Sequence, residues 1–359
     1  MVILGLKKLG YALLTLFGVV TVIFFMFSVL PGDPAQMMLG QNQTQDQLDQ
    51  VKQKYGFDKS ISTQYIYYLN DLSPISIHKK MDGHYTSLES DKYSAIQLFE
   101  ISNYSLVLKK PYLRESFQQN SRPVASIISE TLPNTAILAI SAIAVALSIG
   151  ILLGIFSAIF QNTFLDKSIQ ILSTLGMSLP SFFSAILFAW FFAYVLKDIT
   201  GLNMTGNLYE LDDFGEKREL ILKNLILPAL VLGLRPLAVV SQLMRNALLE
   251  QLQEDYIRTA RAKGLSEFKI IYKHALKNAL NPVITAISGW FASMLAGAVF
   301  VEYIFGWNGL GKEIVNALET LDLPVIMGAV LIIALMFILI NIFVDIIYAW
   351  LDPRIRYST

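Results

Sequence analysis

The sequence has no cysteine among its 359 residues. This absence excludes disulfide bonds, thiolate metal sites and a cysteine nucleophile. Charge is also scarce, because 16% of the residues are charged against ~25% in soluble domains. The formal net charge is zero, so nothing predicts a nucleic-acid partner. Hydrophobic residues make up 54% of the chain, which predicts a protein whose solvent is membrane lipid.

Six apolar stretches are long enough to cross a hydrocarbon layer of ~30 Å, which takes ~20 helical residues. Four are free of charge, and the other two carry one charge each, Arg235 and Asp345. The first stretch is longer than a signal peptide's apolar region and lacks a small-x-small cleavage site, so we expect a retained anchor. The predicted spans are 9–32, 131–165, 168–196, 224–244, 278–301 and 323–351.

The basic residues predict the orientation of these spans. The loop 245–281 carries seven lysines and arginines, and Lys7, Lys8 and Lys167 fall on the same side of the membrane. Short cytoplasmic loops carry such an excess. We therefore expect both termini in the cytoplasm. The expected parts are an anchor with the first helix at 1–32, an external segment at 33–130, a five-helix core at 131–351 and a cytoplasmic tail at 352–359.

The external segment 33–130 is predicted to be small and helical only in part. Thr44 is placed to cap a helix that Gly56 would end. From 73 to 110 the hydrophobic periodicity is poor, so we expect an irregular surface there and an all-α fold overall. Prolines beside the predicted spans, such as Pro180, are expected to mark kinks or helix starts.

One motif resembles half of a phosphate-binding loop. Residues 306–312 satisfy the spacing G-x-x-x-x-G-K, but Glu313 replaces the serine or threonine that would hold Mg²⁺. No strand is predicted before the glycines, and the segment is expected outside the cell. We interpret it as a glycine-rich external turn with Lys312 solvated.

The three histidines do not predict a metal site. His78 and His84 lie near Asp82, but the segment is predicted to be irregular and lacks a second ligand cluster, so exposed polar side chains are expected. No Ser-His-Asp or paired-carboxylate arrangement falls on one face within the membrane. The chain is therefore predicted to have no catalytic residue, no metal and no cofactor of its own.

Arg235 is the ionisable residue nearest the middle of a predicted span. An unpaired charge there costs ~2.5–3.5 kcal/mol even on the lenient insertion scale, so such residues face a bundle interior or a water-filled cavity. Two interpretations remain open: Arg235 lines a translocation pathway, or it forms a structural ion pair with Asp345 or Glu302. The two acidic residues lie close enough to span ends to reach water.

The loop 245–281 is predicted to form a helical elbow. Residues 246–263 read as a helix, Gly264 breaks it, and Ser266 is placed to cap a second helix. Such an elbow suits either anionic lipid or a groove on a soluble partner. The second helix should show one apolar face and one lysine stripe, formed by Phe268, Ile271, Tyr272, Ala275, Leu276 and Ala279 and by Lys269, Lys273 and Lys277 respectively.

The loop sequence resembles that of a known family. Residues 256–265 read Tyr-Ile-Arg-Thr-Ala-Arg-Ala-Lys-Gly-Leu, which resembles the coupling loop of binding-protein-dependent ABC importers, in the version of the oligopeptide and dipeptide permeases. Arg258-Thr259-Ala260 stands where the general importer pattern has Glu-Ala-Ala, and Gln242 stands where a second arginine is frequent. Further matching stretches are 30–34, 122–124 with 132–135, 274–282, 301–307 with 309–311, and 351–357.

The resemblance implies an ABC importer type I permease architecture and a docking site for an ATPase. Small residues at Ala260 and Gly264 would seat a short coupling helix in a cleft of that subunit, whereas the segment 73–110 matches no part of the family pattern. The implied coupling-loop residues are Asp255, Tyr256, Arg258, Thr259, Ala260, Arg261, Ala262, Lys263, Gly264 and Leu265.

The resemblance also implies the function and the partners. The chain would form half of a pathway for short peptides in the cytoplasmic membrane of a bacterium. It would pair with a homologous permease subunit, two ATPase subunits that use ATP and Mg²⁺, an extracytoplasmic peptide-binding protein and membrane lipid. Two alternatives stay open, import of nickel or another small solute by the same family and a stand-alone secondary transporter, although no span carries the acidic or broken-helix pairs of ion coupling.

Overall fold

The computed structural model of the protein describes residues 2–28, 33–39, 44–79, 85–88, 93, 95–212, 214–215 and 217–351. The helices are α1 (Val2–Ser28), α2 (Pro34–Leu39), α3 (Gln45–Tyr55), α4 (Ile61–Leu72), α5 (Val124–Ile159), α6 (Phe164–Ser178), α7 (Ser181–Phe188), α8 (Lys197–Thr200), α9 (Lys223–Gln253), α10 (Asp255–Ala262), α11 (Glu267–Lys269), α12 (Leu276–Gly297), α13 (Val299–Phe305), α14 (Leu310–Glu319) and α15 (Leu323–Leu351). The strands are β1 (Ile75–Lys79), β2 (Ala95–Ile101), β3 (Tyr104–Lys109), β4 (Tyr209–Leu211) and β5 (Arg218–Leu220), and π-helical turns cover Ala189–Val195 and Ile270–Ala275.

The chain divides into two compact units. The first contains Met1–Glu130 and Ile314–Ala334, and the second contains Thr131–Glu313 and Leu335–Thr359. The predicted 33–130 segment thus belongs to the first unit, and the loop 245–281 belongs to the second.

Long apolar helices dominate the part of the chain that the structure describes. Four of them are long and apolar enough to cross a membrane: Gly10–Ser28, Val124–Ile159, Lys223–Gln253 and Leu323–Val344. A fifth candidate is a broken pair, Phe164–Ser178 with Ser181–Val195, bent by 114°. The remaining predicted span, 278–301, corresponds to α12 and α13 and is not among the candidates found in the described residues, so a count of six stays a prediction.

The break in the bent pair has a local cause. Pro180 occupies the N-cap position of α7 and has an extended backbone. Because proline restricts the residue before it to extended conformations, α6 ends before Leu179. Pro180 therefore marks a helix start, as predicted.

The predicted helix after Thr44 is confirmed in the first unit. The Thr44 side chain accepts the backbone N–H of Gln47, the Gln47 side chain accepts that of Thr44, and this capping box begins α3. Gly56 ends α3 in the left-handed region, with φ of 72°. Local capping chemistry is thus readable from the sequence.

The expectation of an all-α chain with an irregular 73–110 segment is wrong. A three-stranded antiparallel sheet of order β1-β3-β2 fills it, and a short β4-β5 hairpin lies in the second unit. The strands alternate as strands should, but with the polar side chains buried: Ser76 and His78 are buried, whereas Ile75 and Ile77 are 58% and 57% exposed. These strands therefore lack the buried apolar face from which strands are usually predicted in a sequence.

The buried sheet face packs against a polar cluster around Asp71. The Asp71 carboxylate is buried and accepts the hydroxyls of Tyr85 at 2.7 Å and Tyr93 at 3.0 Å and the Nε–H of Arg114 at 3.0 Å. Burial raises the pKa values of both tyrosines above the ordinary tyrosine value, so the phenols stay protonated and donate. Buried polar groups are stable here because they are paired.

His78 belongs to this cluster and is not exposed, which corrects the sequence interpretation. It is fully buried, hydrogen-bonded with the Ser76 hydroxyl at 2.9 Å, and its Nδ1 lies 3.1 Å from the carbonyl oxygen of Thr86. Asp82 and His84 lie outside the described residues. Within the described ranges, no group of three potential metal ligands occurs.

Close contact between α5 and α9 organises the second unit. Gly150 and Gly154 stand four residues apart on α5, and a Cβ at Gly154 would lie 2.6 Å from the carbonyl oxygen of Ser241. Gly233 on α9 packs in the same way against the backbone of Ala142. Small residues at such spacing let membrane helices approach to backbone contact.

Candidate functional site

The loop that links α9 to α12 begins with a helix break that was not predicted. The sequence suggested one helix over 246–263, but α9 runs on to Gln253, and Glu254 adopts an extended conformation with ψ of 149°. A separate short helix, α10, then covers Asp255–Ala262. The candidate coupling residues thus lie on α10 and in the turn that follows it.

The α10 helix is anchored by its inward face. Ile257 is fully buried and Ala260 is 6% exposed, and both belong to an apolar cluster with Met244, Leu248 and Ile270. Ala260 is therefore small because it packs inside this chain. The exposed predicted residues are Asp255, Tyr256, Arg258, Thr259, Arg261, Ala262, Lys263 and Gly264, and Leu265 is half-buried.

Gly264 makes the turn that ends this helix. Its φ is 76°, a left-handed conformation that glycine adopts without strain, and no atom lies within 4 Å of where a Cβ would stand. The Leu265 N–H donates to the carbonyl oxygen of Ala260 at 3.3 Å and closes the turn. The predicted break at Gly264 is thus confirmed, and the surface around it is open.

An ion pair fixes the chain after the turn. Arg261 donates from Nε to Glu267 at 2.8 Å and from Nη2 at 3.3 Å. The hydrogen bond from Arg261 lowers the pKa of Glu267 below its usual range. Ser266 occupies the N-cap position of the next helix, but its side chain makes no capping hydrogen bond.

The predicted apolar face of the second helix is confirmed at Ala275 and Ala279, which are buried, and is wrong at its N-terminal end. There Phe268 and Tyr272 are 79% and 69% exposed and stack with ring centroids 6.1 Å apart, whereas Ile270, which was not assigned to the face, is buried. The reason is the π-helical turn Ile270–Ala275. An i→i+5 turn is wider than an α-helical turn, so a 3.6-residue period that fits Ala275 and Ala279 assigns the wrong face to Phe268 and Tyr272.

The base of the loop is tied to α6 by a buried ion pair that the sequence did not predict. Arg245 donates to Asp166 twice, from Nε to Oδ1 at 2.8 Å and from Nη2 to Oδ2 at 2.9 Å. Asp166 also accepts from the Ser157 hydroxyl, from Gln170 Nε2 at 2.8 Å and from the Asn162 N–H at 2.9 Å. The Asp166 side chain is 1% exposed. We call this group the Asp166–Arg245 clamp.

Arg235 lies on α9 beside a small cavity of about 110 Å³. The cavity is also lined by Ser181 and Ser184 of α7 and by Trp290 and Ser293 of α12. Arg235 is exposed, and among the described residues its guanidinium makes no ion pair or hydrogen bond. The suggested pairing with Glu302 is wrong, and the side chain of Asp345 lies outside the described residues.

Glu302 is buried rather than close to water, which corrects the sequence interpretation. Its Oε2 accepts the N–H groups of Gly311 at 2.7 Å and Lys312 at 3.2 Å in the first turn of α14. A carboxylate at a helix N-terminus is stabilising. A Cβ at Gly309 would stand 2.3 Å from the Glu302 carboxylate, so the glycine-rich motif encloses the chain's own carboxylate, not a phosphate.

Lys312 closes this turn and is not simply solvated. Its Nζ donates to the Gly306 carbonyl oxygen at 3.1 Å and to Asn308 Oδ1 at 3.0 Å. The turn is docked to α5 by Trp307, which is fully buried and donates from its indole N–H to the Asn134 carbonyl oxygen at 3.1 Å. The glycine-rich motif therefore joins the end of α13 to the start of α14 and packs this turn against α5.

Comparison with known proteins connects this architecture to membrane transport. Residues 150–357 match the family described as binding-protein-dependent transport system inner membrane component, and residues 1–84 match the N-terminal part of such components. The chain is 34% identical over 353 residues to a Brucella suis protein named as a peptide permease, with 98% of both chains covered.

Two further relatives carry more specific names. The di/tripeptide transport system permease protein DppB of Pseudomonas aeruginosa is 31% identical, with 98% of both chains covered. The dipeptide transport system permease protein DppB of Alkalihalophilus pseudofirmus is 32% identical, covering 98% of this chain and 99% of that one. An inward-facing structure of the MetNI methionine ABC transporter aligns with a TM-score of 0.49 at 16% identity, covering 64% of this chain and 97% of that one, a likeness too weak for any conclusion.

Proposed function

We propose a working arrangement for a chain that belongs to the family of binding-protein-dependent transport system inner membrane components. The chain is a multi-pass membrane protein and a permease subunit of an ABC importer for peptides. In our proposal it spans a bacterial cytoplasmic membrane six times, with both termini inside. It pairs with a homologous permease subunit, two ATPase subunits that bind ATP and Mg²⁺, and an extracytoplasmic peptide-binding protein.

The observation that carries the docking proposal is the open elbow formed by α10 and Gly264. Ile257 and Ala260 anchor α10 from inside, so its outer face is a fixed surface. This surface presents Arg258, Lys263 and the bare backbone of Gly264. A short, rigid helix of this kind is the form that fits into a groove of a partner. We assign this face to the ATPase and give Ala260 a positioning role.

The pathway proposal rests on Arg235 and its cavity. A guanidinium without a protein partner, beside three serine hydroxyls and an indole, can bind a carboxylate or peptide carbonyl through several N–H donors. An intramembrane arginine on the route of a substrate fits the general behaviour of such residues. We therefore place Arg235 on the translocation pathway.

A glycine substitution tests the docking proposal. Gly264→Val should keep the importer assembled but reduce peptide uptake per ATP hydrolysed, because a branched side chain at a left-handed position distorts the elbow. Uptake of a labelled tripeptide and phosphate release are measured together in vesicles that contain the complete importer.

Gly201→Val is the matched control. Gly201 also has a left-handed backbone, with φ of 62°, and no atom lies within 4 Å of its Cβ position. Gly201→Val imposes the same kind of backbone strain at a position outside the elbow, so peptide uptake per ATP hydrolysed should be nearly normal. Equal coupling ratios in both variants would contradict docking at Gly264.

A cross-link gives a second, independent test. The chain has no cysteine, so Lys263→Cys introduces a single thiol at an exposed position. Under the proposal it forms cross-links to an ATPase subunit and is protected from impermeant reagents added to intact cells. Labelling from outside would contradict both the orientation and the docking surface.

A further inference from the structure

A second and larger cavity lies in the first unit, whereas the elbow and Arg235 belong to the second unit. Its volume is about 430 Å³, within the ~300–1,000 Å³ that is usual for small-molecule sites. Much of its wall is aromatic and comes from α1, α4 and the segments around them, namely Phe24, Phe27, Phe57, Tyr68 and Phe117. The cavity is therefore large and apolar enough to hold a ligand side chain.

Arg114 gives this cavity a recognition group. Its Nε donates to Asp71 at 3.0 Å, and its guanidinium lies 5.1 Å from the ring centroid of Tyr68. Its side chain is 21% exposed, and we find no hydrogen bond from its two terminal nitrogens to any described residue. A fixed guanidinium with free terminal N–H groups is suited to bidentate binding of a carboxylate.

The backbone of Arg114 is held in an unfavourable conformation. Its φ is 66°, a left-handed geometry that costs a non-glycine residue ~1–2 kcal/mol. Its carbonyl oxygen accepts the N–H of Val124 at 3.0 Å, which helps to fix this geometry. Such strained residues persist where the surroundings determine them, and they cluster at ligand sites.

Acidic side chains complete the lining. Asp33 and Asp58 both border the cavity, and Asp33 is paired with Lys52 at 2.6 Å. A short peptide carries a carboxylate at one end, an ammonium at the other and an apolar side chain between them. Arg114 offers a partner for the carboxylate and the aromatic wall one for the side chain, while the ammonium would share the two aspartates with Lys52 and Lys59, which already pair with them.

We propose that this cavity is a direct binding site for a short peptide, with Arg114 anchoring the C-terminal carboxylate. The inference rests on the proposed function, since it adds to the permease an external acceptor site for its substrate. Its lining residues belong to the first unit, and none of them lines the Arg235 cavity.

The test uses the complete importer in lipid nanodiscs without the peptide-binding protein. The probes are the tripeptide Ala-Ala-Phe and its C-terminal amide, and binding is measured by equilibrium dialysis with labelled peptide. Because a hydrogen-bonded charge contributes more than a neutral group, the acid should bind about 10–100-fold more tightly than the amide. Arg114→Gln should remove that preference.

Arg114→Gln also removes the ion pair with Asp71 and can therefore disturb folding. A second variant tests the cavity with Arg114 unchanged. Ile61 lines the cavity and is 51% exposed, whereas Ile66 lies on the same helix, is 62% exposed and does not line it. Ile61→Trp should fill the cavity and reduce Ala-Ala-Phe binding at least tenfold, and Ile66→Trp should leave binding unchanged.

Three results would overturn the site: no acid-over-amide preference, equal binding by Ile61→Trp and Ile66→Trp, or no direct binding by the unmodified complex. If uptake with the binding protein stays normal in such a case, the proposed function stands and this site alone fails. If the unmodified complex showed no ATP-driven peptide uptake, the proposed function itself would be contradicted.

Discussion

Removal of Asp166 is the most informative perturbation of the Asp166–Arg245 clamp. Asp166→Ala would leave the Arg245 guanidinium, which is 16% exposed, without its carboxylate. Breaking a buried pair from one side costs ~3–5 kcal/mol, because the remaining charge stays desolvated. We expect a loss of this size in the free energy of unfolding, together with loosening of α9 from α6.

The measurement is thermal unfolding of the purified subunit in mild detergent, followed by tryptophan fluorescence. With ~2 °C per kcal/mol for a large domain, the midpoint should fall by ~6–10 °C. Removing both charges with Asp166→Leu and Arg245→Met should recover most of the loss, since an apolar replacement of a buried pair is often close to neutral.

An exposed ion pair in the same loop supplies the control. Arg258 and Asp255 are 3.3 Å apart, and their side chains are 73% and 95% exposed. Asp255→Ala should therefore change the free energy of unfolding by less than ~1 kcal/mol. If Asp166→Ala lowers the midpoint no more than Asp255→Ala does, the clamp does not stabilise the loop base and the reasoning fails.

Three further predictions concern single residues. Gly154→Leu should destabilise the subunit by more than the ~1–3 kcal/mol of ordinary overpacking, and the measurement is loss of monodisperse protein. Gly18 has no atom within 4 Å of its Cβ position, so Gly18→Leu should have little effect. Gly309→Ala should lower the unfolding midpoint by several degrees, because its Cβ meets a buried carboxylate, and Gly289→Ala, which has open space, should not. Arg235→Gln should reduce peptide uptake without lowering the midpoint; a large drop would indicate a structural ion pair.

The sequence predicted well where the determinants are local. Thr44 and Gly56 bound a helix through contacts within a few residues, and Gly264 breaks the loop because only its own φ matters. Pro180 restricts its own neighbourhood in the same way. Four of the apolar spans, and a fifth as a bent pair, were readable for a similar reason, since length and charge alone decide whether a helix is a candidate to cross lipid.

Features that depend on distant partners were missed. Asp166 and Arg245 are 79 residues apart in the chain, and no spacing rule joins them. Glu302 was expected near water, but its carboxylate is buried and accepts hydrogen bonds from N–H groups of α14. His78 was expected on a surface because its segment was predicted to be irregular, but β1 buries its polar side against the cluster around Asp71, which is assembled from separate segments.

The π-helical turn and the helix break at Glu254 explain why the loop was only half predicted. Both alter the phase between α9, α10 and α12, so a constant period of 3.6 residues assigns Phe268 and Tyr272 to the wrong face. The elbow is attached on its inner side through Ile257, whereas the turn at Gly264 is open. Under the proposed function, a displacement of the elbow would pass to α9 through the apolar cluster around Ile257, and α9 carries both Arg245 of the clamp and Arg235. At 1.5 Å per residue, Arg235 lies ~15 Å along that helix from Arg245, and Pro236 lies between them within the same helix.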